Sequence, residues 1–289
     1  MPIGEAAVSK QAAAGLAPGR PDEGVWAYVC IVTALLHKSG VSFCALNMPK
    51  RRITPKYIAD HIRRVLKDGG SAPHAEGVQW FFKEEIKSRG WYTAELRRVA
   101  VRFRRTIIRE QSLPFLLKVA DQLFRGRILE EKVFAALMLE KIVDQLGDPE
   151  FRLFESWLDR ITSWADHDGL VHSLIGPMIV AKPSRARAVF VWAKSKNRWH
   201  RRAACVALIQ GTRQKMFLPD IKRLSNQLLC DEDDMVQKGL GWLLRETVKH
   251  GPPTTLTYIR QIRGRAPRLV LRTACETLPA SARKRILAA

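Results

Sequence analysis

No stretch of this sequence stays apolar long enough to cross a bilayer. The longest such run, Val25 to Leu36, has twelve residues against the ~20 that a membrane helix needs, so no transmembrane helix is expected. The run also fits a secretory signal poorly, because it starts late, Asp22 and Glu23 precede it, and no small-residue cleavage site follows cleanly. Paired cysteines are missing as well. Cys30, Cys44, Cys205, Cys230 and Cys275 form no CxxC pair and have no matching histidine spacing, which argues against a zinc ribbon or a disulfide framework and fits a reducing cytosol. There is no Walker loop and no GxGxxG, so no nucleotide cofactor is expected. There is no HExxH, and Asp168 and His172, four apart beside Asp166 and His167, find no third ligand at a recognisable spacing, so no metal is expected. Acidic residues are scarce. Only 28 Asp+Glu stand against 49 Lys+Arg, a net charge of +21, which points to a polyanionic partner.

What is present is globular, with 46% hydrophobic and 27% charged residues in 289. The charge is not spread evenly. Residues 1 to 47 hold Lys10, Arg20 and Lys38 against Glu5, Asp22 and Glu23, so all of the +21 falls on residues 48 to 289. The Ala/Gly/Pro-rich opening shows no helical or strand period and reads as a disordered or dispensable extension over 1 to 47, or a start-site artefact before Met48. Residues 48 to 75 are read as an additional N-terminal helix and 76 to 289 as the main domain.

From Met48 onward the chain reads as helix after helix, an all-α fold. Thr54-Pro55 is a cap followed by a first-turn proline, opening a helix over Lys56 to Lys67, and Asp233 or Asp234 caps a long helix to about His250. The breaks recur. Leu113-Pro114, Asp148-Pro149, Lys182-Pro183, Leu218-Pro219 and Gly251-Pro252 lie 33 to 36 residues apart, a period that predicts an α-solenoid of helix pairs with a concave surface. The alternative is an irregular helical bundle whose prolines merely open helices.

Between Asp168 and Asp220 there is no acidic residue, yet Lys182, Arg185, Arg187, Lys194, Lys196, Arg198, Arg201, Arg202, Arg213 and Lys215 lie there. Taken singly, each reads as a solvated helix face; together they make a field of one sign, as phosphate binding requires. Just before it, Ser163-Trp164-Ala165-Asp166-His167-Asp168 puts Trp164 and Asp168 on one helix face and Asp166 elsewhere. Trp242 and Arg245 share a face three residues apart, and Trp199 and Arg202 repeat that spacing. Each tryptophan also has a core-packing reading, preferred for Trp199, and Asp168 one as a cap or ion pair. His167 reads as a surface residue or one that supports the site from behind. Gly239 and Gly241 each cost a helix ~1 kcal/mol relative to alanine, which suggests that another backbone approaches there.

These segments resemble the bacterial DNA alkylation-repair glycosylases built from HEAT-like repeats, the AlkD-type alkylpurine DNA glycosylases. The resemblance covers about residues 76 to 285. It is best over Ser163 to Asp168, Trp199 to Ala204 and Val236 to Glu246, the last (Gln-Lys-x-x-Gly-Trp-x-Leu-Arg-Glu) being the most specific. It implies Asp168 as the catalytic carboxylate, Trp164 and Trp242 as aromatic walls of the lesion site, and Arg202 and Arg245 as DNA contacts near the lesion. Arg185, Arg187, Lys238 and Phe81 complete the expected DNA-binding set. The family usually has a tyrosine on its first helix, where this chain has Trp80, Phe81 and Phe82. Family members are described as acting on a lesion that stays largely stacked in the duplex. The implied partner is double-stranded DNA with alkylated purines, bound by a monomer with no cofactor in a bacterial cytoplasm. The rival readings are a non-enzymatic helical-repeat protein that binds structured DNA or RNA, and a protein-interaction scaffold.

Overall fold

Six helices begin at residues 93, 129, 164, 198, 234 and 268 in this computed structural model, so successive starts lie 34 to 36 residues apart. The model describes residues 53–288, and the expectation for residues 1 to 47 lies outside them. Each of the six helices packs on the next, forming one continuous row: Thr93–Glu110, Leu129–Leu139, Trp164–Leu170, Arg198–Val206, Asp234–His250 and Arg268–Ala274. A second set of helices packs behind them: Leu113–Phe124 against the first two, Leu218–Leu228 against the fourth and fifth, and Thr254–Ile262 against the fifth. The arrangement is the all-α, repeat-built fold that the sequence period predicts. Among the described residues the only β pairing is an isolated bridge between Lys87 and Ile128.

Side-chain caps set several of the helix starts. Thr54 accepts from Tyr57 N–H at the start of Pro55–Asp68, Ser112 from Phe115 N–H, and Asp233 from Met235 and Val236 N–H. The recurrent prolines open helices of the rear set: Pro114, Pro149 and Pro219 sit in first turns, and Pro183 begins a 3₁₀ segment over Pro183–Arg187. Pro55–Asp68 packs its buried Ile58, Ile62 and Leu66 on Leu113–Phe124 and Leu129–Leu139.

The helix Trp164–Leu170 positions the site, and its start is over-determined. Ser163 caps it and Asp166 closes the capping box. Asp166 accepts from Thr162 N–H (3.0 Å), Ser163 N–H (2.7 Å) and both of their hydroxyls, while the buried Lys132 ammonium donates at 3.2 Å to Oδ2, the oxygen that Thr162 also meets. Lys132 also donates to Thr162 Oγ1 and to the Arg160 carbonyl. Past Leu170 the helix widens into a π segment, Val171–Ile175, before Gly176–Ala181. Pro177, which has no N–H to give, forces part of that change, and Gly176 N–H bonds the Val171 carbonyl five residues back.

Gly241 answers the expectation of close approach. A Cβ there would lie 2.6 Å from Thr273 Cβ and 3.0 Å from the Val270 carbonyl on the next helix of the row. At Gly239 the neighbour is the Arg202 side chain, 3.2 Å away.

With Lys132 buried against Asp166, removing either partner strands a charge, which costs about 3–5 kcal/mol. Asp166→Ala is therefore expected to lower the thermal midpoint by roughly 6 °C or more for a domain of this size, measured by circular dichroism. Retention of the wild-type midpoint would show that this network does not hold the helix.

Candidate active site and nucleic-acid interface

Asp168 does not stand alone. Arg202, one helix along the row, clasps it with three contacts: Nε to Oδ1 at 3.2 Å, and Nη2 to Oδ1 at 3.0 Å and Oδ2 at 2.9 Å. His167 Nδ1 adds a fourth to Oδ1 at 2.7 Å. Oδ1 thus meets three donors and Oδ2 only one, which leaves Oδ2 the oxygen with acceptor capacity to spare. The Asp168 side chain keeps 22 % of its surface exposed, whereas that of Arg202 keeps 6 %. Burial alone pushes the Asp168 carboxyl upward, but the His167 hydrogen bond and the Arg202 guanidinium outweigh it and hold the group below its usual value, so it is ionised at neutral pH. Burial lowers His167 against the opposing pull of Asp168.

Two aromatic stacks flank the carboxylate along one helix face, at positions four residues to either side. Trp164 stacks on Phe82 with ring centres 4.9 Å apart, and its indole N–H donates to the Phe81 carbonyl at 3.3 Å. His172, in the π segment, stacks on Trp242 at 5.2 Å. The four-residue spacing of Asp168 and His172 therefore serves an aromatic contact. Trp199, with 7 % of its surface exposed, is a core residue as expected.

Two open clefts meet at Arg202 and Lys238. One, about 350 Å³, is lined by Trp242, Arg245, Arg272 and Glu276; the other, about 210 Å³, by Phe81, Lys83, Trp164 and Met235. Phe81 and its neighbour Trp80 are 75 % and 91 % exposed. Both belong to a segment tied across the row by Lys83 to Asp234 and Arg198 to Glu84. Arg245 lies between Glu246 and Glu276.

The cationic interval looks different in space. Lys182 and Arg185 bind Asp148, Arg198 binds Glu84 and Asp233, Arg201 binds Asp231, and Arg202 binds Asp168. Half of the ten cations that are unopposed in sequence are thus paired with acids folded in from elsewhere. Arg187, Lys194, Lys196, Arg213 and Lys215 have no ion-pair partner among the described residues. Arg185 and Arg187 also belong to the rear 3₁₀ segment, where Arg185 also donates to the Met178 carbonyl and stacks over Phe151; the fold does not bring them to Asp168. It does gather Trp164, Arg202, Lys238, Trp242, Arg245 and Phe81 along the two clefts, with Asp168 bound to Arg202, which lines both. Phe82, His172 and Arg272 join them. His172 alone had a spacing signal, and His167 is not a surface residue but a wholly buried partner of the carboxylate.

A model of the family described as DNA alkylation repair enzyme matches residues 62–278. Among curated proteins none matches the chain.

The pair of Arg202 and Asp168 makes a stability prediction with a defined sign. Because Asp168 is held below its usual carboxylate value of 3.8, it stabilises the fold above that pH, and the contribution is lost as the pH falls through the folded value. Arg202→Ala leaves the carboxylate with burial less opposed and should cost about 2–3 kcal/mol at neutral pH. The gap in thermal midpoint from wild type should close as the pH falls through the carboxylate range; a gap independent of pH would place the cost in lost packing instead.

Proposed function

The chain belongs to the DNA alkylation repair enzyme family, and from that premise we propose that it is a monofunctional DNA glycosylase acting on purines alkylated at N3 or N7 in duplex DNA. The observation that carries the proposal is the ionised Asp168 carboxylate, fixed on Arg202 and His167 with Oδ2 the least engaged oxygen, between two aromatic stacks and beside two cation-lined clefts.

Glycoside hydrolysis ordinarily needs two carboxyl groups, one of which protonates the leaving group. A purine alkylated at N3 or N7 is already a cation, so it departs as a neutral base and no acid is required. As the bond from C1′ to the purine nitrogen breaks, its electron pair neutralises the base and the sugar becomes an oxocarbenium ion. Asp168 Oδ2 stabilises that charge and orients a water for attack at C1′, taking or relaying the proton the water loses. The products are the neutral alkylpurine and an abasic sugar. Trp164 and Trp242 each have one face occupied, by Phe82 and His172, and turn the other to the cationic nucleoside, worth about 0.5–2 kcal/mol apiece. Arg202 keeps the carboxylate charged and in place. Lys238 and Arg272, which line the clefts, hold the backbone phosphates together with Arg245, which exchanges its exposed partner Glu276 for phosphate, and the exposed Phe81 lies against the duplex. Arg187 remains a phosphate contact outside the site, whereas Arg185, committed to Asp148, serves the fold.

A second reading, a non-enzymatic binder of structured DNA or RNA, draws on one observation: the bond to Arg202 gives Asp168 a structural role sufficient in itself. Methylated duplex separates the two. Wild-type protein should release N3- or N7-methylpurines, and Asp168→Asn should slow release by about 10²–10³ with little change in DNA affinity. Salt-sensitive binding without release would favour the binder; release at full rate from Asp168→Asn would remove the carboxylate from the mechanism. Lys238→Ala and Arg245→Ala should each make the salt dependence of affinity shallower by about one unit of slope, measured by fluorescence anisotropy.

A further inference from the structure

His167 lies inside the Ser163 to Asp168 block, and its surroundings favour the reading that it supports the site from behind. The ring is wholly buried, with Nδ1 2.7 Å from Asp168 Oδ1 and Nε2 3.2 Å from the Trp199 carbonyl oxygen. Both nitrogens therefore face acceptors, while a neutral imidazole has one N–H to give. The tautomer protonated only at Nε2 would set a nitrogen lone pair 2.7 Å from a carboxylate oxygen, which charge repulsion forbids. Two forms remain. The neutral Nδ1–H tautomer satisfies the carboxylate, and the imidazolium satisfies the carboxylate and the Trp199 carbonyl together.

The charges around the ring come from three helices. Asp166 and Asp168, on its own helix, favour a second proton; Arg202, on the Arg198–Val206 helix, opposes it, and Asp166 is itself neutralised by Lys132. Desolvation is the largest influence and keeps the ring neutral near pH 7. The Trp199 carbonyl nevertheless stands ready to accept a second N–H. At low pH this histidine therefore charges in place, without moving.

We propose that His167 is a positioning residue for Asp168: as the neutral Nδ1–H tautomer it pins Oδ1 so that Oδ2 serves the substrate, and when doubly protonated it draws the carboxylate's charge away from the sugar. This rests on the glycosylase reading above. The first proton fixes geometry, since with Arg202 on the same oxygen the carboxylate cannot turn about its bond to exchange Oδ1 for Oδ2. The second acts electrostatically. An imidazolium 2.7 Å away competes with the oxocarbenium ion for the same negative charge, so release should fall as the ring takes its second proton. The acid limb of the release rate then belongs to His167, which burial holds below the ordinary histidine value of 6.5.

Single-turnover release from methylated duplex between pH 4.5 and 8, together with nitrogen NMR of the histidine rings, tests this. Wild type should show the acid limb, and His167 should appear as the Nδ1–H tautomer at neutral pH. His167→Val should release base about tenfold more slowly, the worth of one hydrogen bond, with DNA affinity within twofold of wild type. It should lose the acid limb over this range. His167→Asn, which keeps a donor that does not titrate, should recover part of the rate and still lack that limb. An Nε2–H tautomer, or a His167→Val protein with wild-type rate and limb, overturns the proposal. If His167→Val proves unstable, the tautomer and His167→Asn decide. A wild-type protein that releases nothing refutes the glycosylase reading, and the tautomer then judges His167 separately.

Discussion

The clasp of Arg202 on Asp168 is the contact on which the arrangement of the site turns. It joins the Trp164–Leu170 and Arg198–Val206 helices, and through Arg202 Nη1 donating to the Met235 carbonyl at 2.8 Å it reaches the Asp234–His250 helix as well. Three successive members of the row are thus set by one guanidinium. Its planar fork fits this role, because a carboxylate and a carbonyl can be addressed at once in fixed directions, which a lysine's rotating ammonium cannot do. The room it occupies is made by Gly239, whose missing Cβ would press on the arginine stem at 3.2 Å.

From that contact follow the electrostatics. A carboxylate with most of its surface covered would ordinarily rise toward neutrality; here the guanidinium and the imidazole keep it charged, bound to an arginine that lines both clefts. The same pairing reduces the charge that Asp168 can offer a substrate. On the glycosylase reading the site would work through position more than through bare charge, with Oδ1 saturated and Oδ2 engaged by Arg202 alone. The net +21 acts similarly at larger scale: about half of the densest cationic interval holds the repeats together, and the rest stays available to a polyanion.

The helical repeat was legible in the sequence because caps and first-turn prolines act within a single turn. Thr54, Ser112 and Asp233 bond the N–H groups two or three residues on, whatever the rest of the chain does. The shared face of Trp164 and Asp168 was legible for the same reason, and so was that of Trp242 and Arg245. Partners across the stack were not. Arg198, Arg201 and Arg202 lie within five positions on one helix, yet they bind Glu84 and Asp233, Asp231, and Asp168 respectively. Which acid each meets depends on the offset between repeats more than thirty residues apart, and no spacing records that offset. His167 was obscured by its neighbours, since a histidine amid acids on a short helix looks like a surface group until the Trp199 carbonyl is packed against it.

On the proposed reading these features serve selection by the charge of the base: a fixed carboxylate and two half-covered indoles beside cationic clefts suit a base that is itself a cation and becomes neutral as it leaves. The most direct measurement compares release from two duplexes identical except at one purine. One carries N7-methylguanine; the other carries the 7-deaza-7-methyl analogue, where carbon replaces the ring nitrogen and the base has the same outline without the charge. Release of the cationic base alone, with both duplexes bound, is the predicted result. Release of both at comparable rates, or of neither, would contradict it.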